Sequence, residues 1–222
     1  MNLFGQGSIG LTVMMALISV IPILVCITIH ELAHGLAAYA LGDDTAKRMG
    51  RLSLNPLRHI DPMGFLMLLV LRFGWARPVP VDMRNFRRPK IGMAIAALAG
   101  PVSNFALAFL ILLFQIPLLR WRYLGGAWEF ASNVIVTTAV ISVYLGVFNL
   151  LPIPPLDGSK IVFAVLPDKQ HDWLMRYERY GMVLLFVLIL LGFTTGALRE
   201  VMDGVLLWIE TVTRGPSVWL FA

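Results

Sequence analysis

A chain of 222 residues with 58% hydrophobic and 14% charged residues and a mean hydropathy of +0.78 is too apolar for a water-soluble globule and reads as one membrane-embedded domain over residues 1–222. Its net charge of +5 does not mark a nucleic-acid binder, because the basic residues gather in loops beside apolar stretches, where anionic headgroups and topology account for them. The lone Cys26 excludes an internal disulfide and a CxxC zinc or redox site, and is expected to pack as a small apolar residue.

The uncharged stretches 1–29, 91–119 and 130–156 each exceed the roughly 20 residues a helix needs to cross a bilayer, and 181–198 just reaches the lower limit. Four spans are therefore expected. The first is too long and lacks the basic start of a signal peptide. It runs from about residue 8 to 41, loosened near Pro22, and stops at Gly42, Asp43 and Asp44. The connection that follows contains an apolar piece, 62–71, too short to cross as helix and expected to be re-entrant or packed at the interface.

Next, 75–81, WARPVPV, alternates valines with two prolines and suits a short edge strand or extended loop. The 91–119 stretch carries Gly92, Ala96, Gly100, Asn104 and Ala108 at four-residue spacing, a face of small residues that lets another helix approach closely. Residues 201–213 mix Trp208 and leucines with Asp203 and Glu210, which fits an interfacial helix or, alternatively, a further short span. With four spans, the loops 42–90 and 151–179 share a side and hold 14 of the 18 Lys and Arg residues, which makes that side cytoplasmic and leaves the N-terminus outside.

The chemistry concentrates in HELAH at 30–34. His30 and His34, four apart on a helix, project from one face about a turn from each other and suit two ligands of one tetrahedral zinc. Glu31 lies about 100° round the helix, within reach of a water at such a metal, and is placed to be a general base. With 4 His, a chance H-E-x-x-H has a probability of roughly 10⁻³, so coincidence is a poor explanation. Ionisable groups inside a span are costly and mark function.

A catalytic zinc takes a third protein ligand. Asp157 stands out, because NLLPIPPLDG at 149–158 ends a span in irregular backbone, which membrane depth tolerates only where protein or a wet cavity covers it. Asp157 could equally cap a helix starting near 158. His59 is a competing ligand or a turn histidine beside Pro62, and Asp61 and His171 are weaker candidates. Asn149 could donate to a developing oxyanion or merely satisfy the end of its helix.

HELAH at 30–34, LNPLRHIDPMG at 54–64, WARPVPV at 75–81, LAGPVSN at 98–104 and NLLPIPPLDG at 149–158 together resemble, in order, the site-2 protease family of intramembrane zinc metalloproteases. The resemblance implies an all-α polytopic bundle with four to six membrane segments and a small extended element near the active site. It implies that His30, His34 and Asp157 bind Zn2+, that Glu31 activates the bound water, and that Asn149 holds substrate or stabilises the oxyanion. It further implies a transmembrane substrate protein, cleavage in or near its helix, and residence in a bacterial cytoplasmic membrane with the active site on the cytoplasmic side. This chain reads LDG-Ser159-Lys160 where the family often continues Gly-Arg or Gly-His, and it looks like a minimal core without an accessory domain. The alternatives are a non-catalytic relative that serves as adaptor or zinc binder, against which the intact Glu31 speaks, and a transporter, for which paired interrupted helices are missing. WARPVPV could accept substrate as an added strand.

Overall fold

The computed structural model describes residues 9–71, 74–167, 180–192 and 196–221. In chain order these form α1 (Ile9–Ala40), the single turn α2 (Thr45–Arg48), α3 (Pro62–Leu71), α4 (Pro89–Leu113), α5 (Gln115–Arg122), α6 (Gly126–Asn149), α7 (Asp157–Val165), α8 (Tyr180–Leu190) and α9 (Ala197–Phe221). Among the described residues, three stretches are long and apolar enough to cross a membrane: Ile18–Ala40 within α1, and all of α4 and α6. Among the described residues there is no strand; Ile60 and Ala76 form one isolated antiparallel bridge. The chain is thus an all-α polytopic membrane protein with a small extended element, as its composition and resemblance predict.

The differences from the sequence reading lie at helix ends, and each has a local cause. The apolar stretch 91–119 does not run on as one helix: it breaks at Phe114, and α5 begins at Gln115. Pro117 has no N–H to give to the Leu113 carbonyl, and its ring is tolerated only in the first turn of a new helix. The stretch 181–198 is described only in part, with residues 193–195 outside the described residues. Its described helix is Tyr180–Leu190, and Gly192, with φ of 81°, closes it in the left-handed conformation that favours glycine at a helix end. The expected interfacial helix at 201–213 is part of the longer α9, which packs into the bundle along Leu198, Met202 and Ile209 and leaves Leu207 and Trp208 exposed. The 62–71 piece is the ten-residue α3, about 15 Å long and too short to cross. Residues 1–8 and His171 lie outside the described residues.

α4 is the central element, in contact with α1, α6, α7 and α9. Its small face, Gly92, Ala96, Gly100, Asn104 and Ala108, is buried throughout. The main core joins Ala108 and Leu112 of α4 to Ala139, Val143 and Val147 of α6 and to the buried stripe of α9. Cys26 is fully buried, its thiol donating to the Thr138 carbonyl at 3.4 Å, a packing role like that expected. Pro22 sits inside α1 without ending it.

The loops on one end are tied together by Asp43, which has no exposed surface. Its Oδ1 accepts from the Thr45 amide at 3.1 Å, the Thr45 hydroxyl at 2.5 Å and Asn85 Nδ2 at 2.7 Å, and its Oδ2 accepts from the Asp82 amide at 2.8 Å. Burial pushes the Asp43 carboxyl up, but these hydrogen bonds outweigh it and hold the group below its ordinary value. One carboxylate thereby fixes the end of α1 against the loop leading into α4.

Candidate metal centre

α1 is helical through the whole of HELAH, so His30 and His34 lie one turn apart, with ring centroids 4.5 Å apart and planes at 88°. Both rings are buried between α1 and α4. They converge on one atom from the far end of the chain: Asp157 Oδ2 is 3.0 Å from His30 Nε2 and 3.0 Å from His34 Nε2. Asp157 is the first residue of α7, an acidic residue in its first turn, and the helix has no side-chain capping hydrogen bond; the carboxylate faces the two histidines. Gly158 permits this approach, because a Cβ there would lie 2.2 Å from the Leu150 carbonyl oxygen.

These three residues fit a zinc ion. Bonds of about 2.0–2.1 Å at tetrahedral angles put neighbouring ligand atoms about 3.3 Å apart, within a few tenths of the 3.0 Å found. The tautomers fit too. His34 Nδ1 is 2.7 Å from the Ala96 carbonyl, which can only accept, so Nδ1 carries the proton and Nε2 is left as a lone pair. Lys160 Nζ stands 3.3 Å from Asp157 Oδ1, which occupies one carboxylate oxygen and leaves Oδ2 to the metal side. Burial raises the Asp157 pKa, yet the two imidazoles beside it and the Lys160 charge outweigh this and hold the carboxyl below its ordinary value.

Glu31 borders the same cavity, about 560 Å³, as the three ligand residues. Its Oε2 accepts from the Val79 amide at 2.7 Å. The extended segment is itself braced, with Arg51 Nη2 donating to the carbonyls of Arg77 at 2.7 Å and Pro78 at 3.2 Å, and the Arg77 amide donating to the His59 carbonyl at 2.9 Å. The amides of Arg77 and Val79 and the carbonyls of Arg77 and Pro78 are therefore taken up internally and are not available to an added strand. Asn149 also lines the cavity, but its Nδ2 donates to the Leu145 carbonyl of its own helix at 2.9 Å.

The structure does not bring His59 to this cluster. His59 is fully buried under the extended segment with Nε2 on the Ser53 carbonyl at 2.7 Å, a loop-bracing histidine. Asp61 accepts from the Gly64 amide at 2.8 Å and caps α3. Sequence reasoning places Gly100 on a close-packing face without assigning it to the site. A Cβ on it would come within 2.4 Å of His34 Cε1 and 2.7 Å of His30 Cε1, so the small-residue face of α4 is the floor on which the two rings rest. The four-residue spacing was the available signal, though it names no occupant.

Comparison with known proteins agrees with this geometry. A family model described as Peptidase family M50 matches residues 124–192, the region that carries Asn149 and Asp157. Three similar proteins share the printed name "Putative zinc metalloprotease". YwhC of Bacillus subtilis is 41% identical over 172 residues, 76% of this chain and 78% of its own. Rip2 of Mycobacterium tuberculosis strain H37Rv is 30% identical over 84% of this chain and 70% of its own, and MJ0611 of Methanocaldococcus jannaschii 29% identical over 68% and 72%. No solved structure matches at a significant level. The chain belongs to peptidase family M50, the site-2 protease family, and is by that membership a membrane-embedded zinc metalloprotease.

Proposed function

We propose that this protein cuts a peptide bond in or next to the transmembrane helix of another membrane protein, as the proteolytic step of regulated intramembrane proteolysis. One observation carries the reading: His30, Glu31 and His34 lie inside the Ile18–Ala40 span and face a cavity whose remaining lining, apart from Asn149, Asp157 and Lys160, is apolar, with Ile27, Trp75, Phe148 and Leu185 among it. A site built there meets lipid-embedded chain before it meets soluble peptide. A second apolar cavity of about 420 Å³ shares Ile27, Trp75, Leu145 and Phe148 with the first and extends the space open to an apolar substrate segment.

His30, His34 and Asp157 hold the metal, with His34 oriented by the Ala96 carbonyl and Asp157 by Lys160. Held by these residues, a zinc ion would lower the pKa of a water towards neutrality and polarise the scissile carbonyl. Glu31 takes the proton at Oε1 or Oε2 and returns it to the leaving amine. The Val79 amide fixes the carboxylate between these transfers. Asn149 reaches a developing oxyanion by exchanging its bond to the Leu145 carbonyl for one to substrate. A helical peptide bond is shielded by its own hydrogen bonds, so the substrate unwinds locally before attack.

The catalytic core is the single unit 1–222, in a bacterial cytoplasmic membrane, with the basic loops and the open end of the site on the cytoplasmic side and the N-terminus outside, as the positive-inside bias supports. The test is co-reconstitution of purified protein with a panel of labelled single-span membrane proteins in liposomes. Cleavage within a span, abolished in Glu31→Gln with zinc retained, is the expected result. Cleavage confined to soluble peptides, or a Glu31→Gln variant as active as wild type, overturns the reading.

A further inference from the structure

We infer that Asn104 is the positioning residue that sets the His30 tautomer for metal binding, an assignment that rests on His30 being a zinc ligand as proposed above. Asn104 sits on the small-residue face of α4, one turn beyond Gly100, and has no exposed surface. Its amide group lies 3.1 Å from His30 Nδ1, the ring nitrogen opposite the one that faces Asp157.

The chemistry of ligation fixes what that amide must do. A histidine that gives its Nε2 lone pair to a metal carries its proton on Nδ1, and the Nδ1–H needs an acceptor. An asparagine amide offers an acceptor on one side only, Oδ1, and a donor on the other. In the orientation the structure carries, Nδ2 faces His30, and Oδ1 is buried without a hydrogen-bond partner. Nδ2 facing Nδ1–H would set donor against donor. A half-turn of the amide, which exchanges two groups of nearly equal size, brings the stranded Oδ1 onto Nδ1–H and makes the contact compatible with Nε2 ligation.

The position is held from the backbone side as well. The fully buried Ser142 of α6 donates from Oγ to the Asn104 carbonyl at 2.9 Å, which ties α4 to α6 at this residue. Each of the three metal-facing side chains thus has its own support: the Ala96 carbonyl for His34, Lys160 for Asp157 and Asn104 for His30. Of the two histidine supports, the carbonyl survives any substitution, whereas the asparagine amide can be removed.

The experiment measures zinc dissociation constants by chelator competition on detergent-purified wild type, Asn104→Leu, Asn104→Ala and Asn104→Asp, with cobalt(II) visible spectra as a reading of ligand geometry. Leu keeps the heavy-atom count of Asn, in a bulkier shape and without an acceptor, Ala cannot overpack, and Asp presents an oxygen on either side. The expected result is zinc binding weakened about 10–100-fold in the Leu and Ala variants, with altered cobalt spectra. The Asp variant is expected to bind as tightly as wild type or tighter, with the wild-type spectrum. Wild-type zinc affinity in a folded Leu or Ala variant, or loss of zinc in a folded Asp variant, overturns the assignment. If the Leu variant fails to give a monodisperse folded protein, the Ala and Asp variants decide. Wild type that binds no zinc would instead defeat the metal-site reading itself, an outcome separate from any of these.

Discussion

Replacing Gly100 by Ala separates folding from metal binding. The added Cβ would lie 2.4 Å from His34 Cε1, 2.5 Å from His34 Nε2 and 2.7 Å from His30 Cε1. Carbon atoms rest at about 3.5–4.0 Å, so the two rings must withdraw by about 1 Å. Metal sites keep their ligand distances within about 0.2 Å, and a displacement several times that size removes at least one nitrogen from the ion. Stability changes far less: alanine gains about 1 kcal/mol over glycine inside a helix, and overpacking costs about 1–3 kcal/mol. The net cost of about 0–2 kcal/mol leaves a folded chain. Zinc affinity is expected to fall at least about 100-fold, the equivalent of about 2.7 kcal/mol. The assay pairs chelator competition with thermal unfolding in detergent. A folded Gly100→Ala protein that binds zinc like wild type would refute the claim that α4 is the floor of the site.

Two further changes probe the scaffold around the site. Arg51→Met removes the two hydrogen bonds that brace the carbonyls of Arg77 and Pro78. It should slow cleavage of whichever reconstituted substrate wild type cuts by about tenfold, from the loss of charged hydrogen bonds worth about 1.5–3 kcal/mol, with zinc content unchanged; equal rates would show that the brace does not reach Glu31. Asp43→Asn should lower stability at pH 7 by about 2 kcal/mol, because an amide group must face donors that a charged carboxylate now accepts from. The pH dependence has a definite sign. A carboxyl held below its ordinary value contributes stability that is complete above about pH 3.9 and is lost as the pH falls through the folded value. The gap between wild type and Asp43→Asn should therefore be constant from neutrality down to about pH 4 and close below that, as followed by unfolding midpoints between pH 7 and about pH 2; a gap that widens in acid would contradict it.

What the sequence makes legible follows from how local each feature is. HELAH is one helical turn, so its geometry is fixed by the backbone period, and the cluster of His30 and His34 could be drawn from spacing alone. Asp157 lies 127 residues from His30, a separation that no period bridges. Residue chemistry left it balanced between ligand and helix cap, and the family resemblance was needed to favour the ligand. The stripe from Gly92 to Ala108 was visible as a packing face, but that its partner is the pair of histidine rings depends on how α1 and α4 dock. The Val79 amide that meets Glu31 was out of reach for a different reason, since every residue but proline carries that donor and sequence does not distinguish one from another. Helix ends follow punctuation and not an apolar count: Pro117 and Gly192 break stretches that composition alone joins.

The central claim is that His30, His34 and Asp157 together hold one zinc at the place where Glu31 works. The most direct measurement is zinc per folded chain, in detergent, for wild type and Asp157→Ala, since it needs no substrate. About one zinc in wild type and a marked loss in the variant is expected, because one of three ligands is gone. Equal zinc in both proteins, or none in well-folded wild type after reconstitution with the metal, would contradict the account.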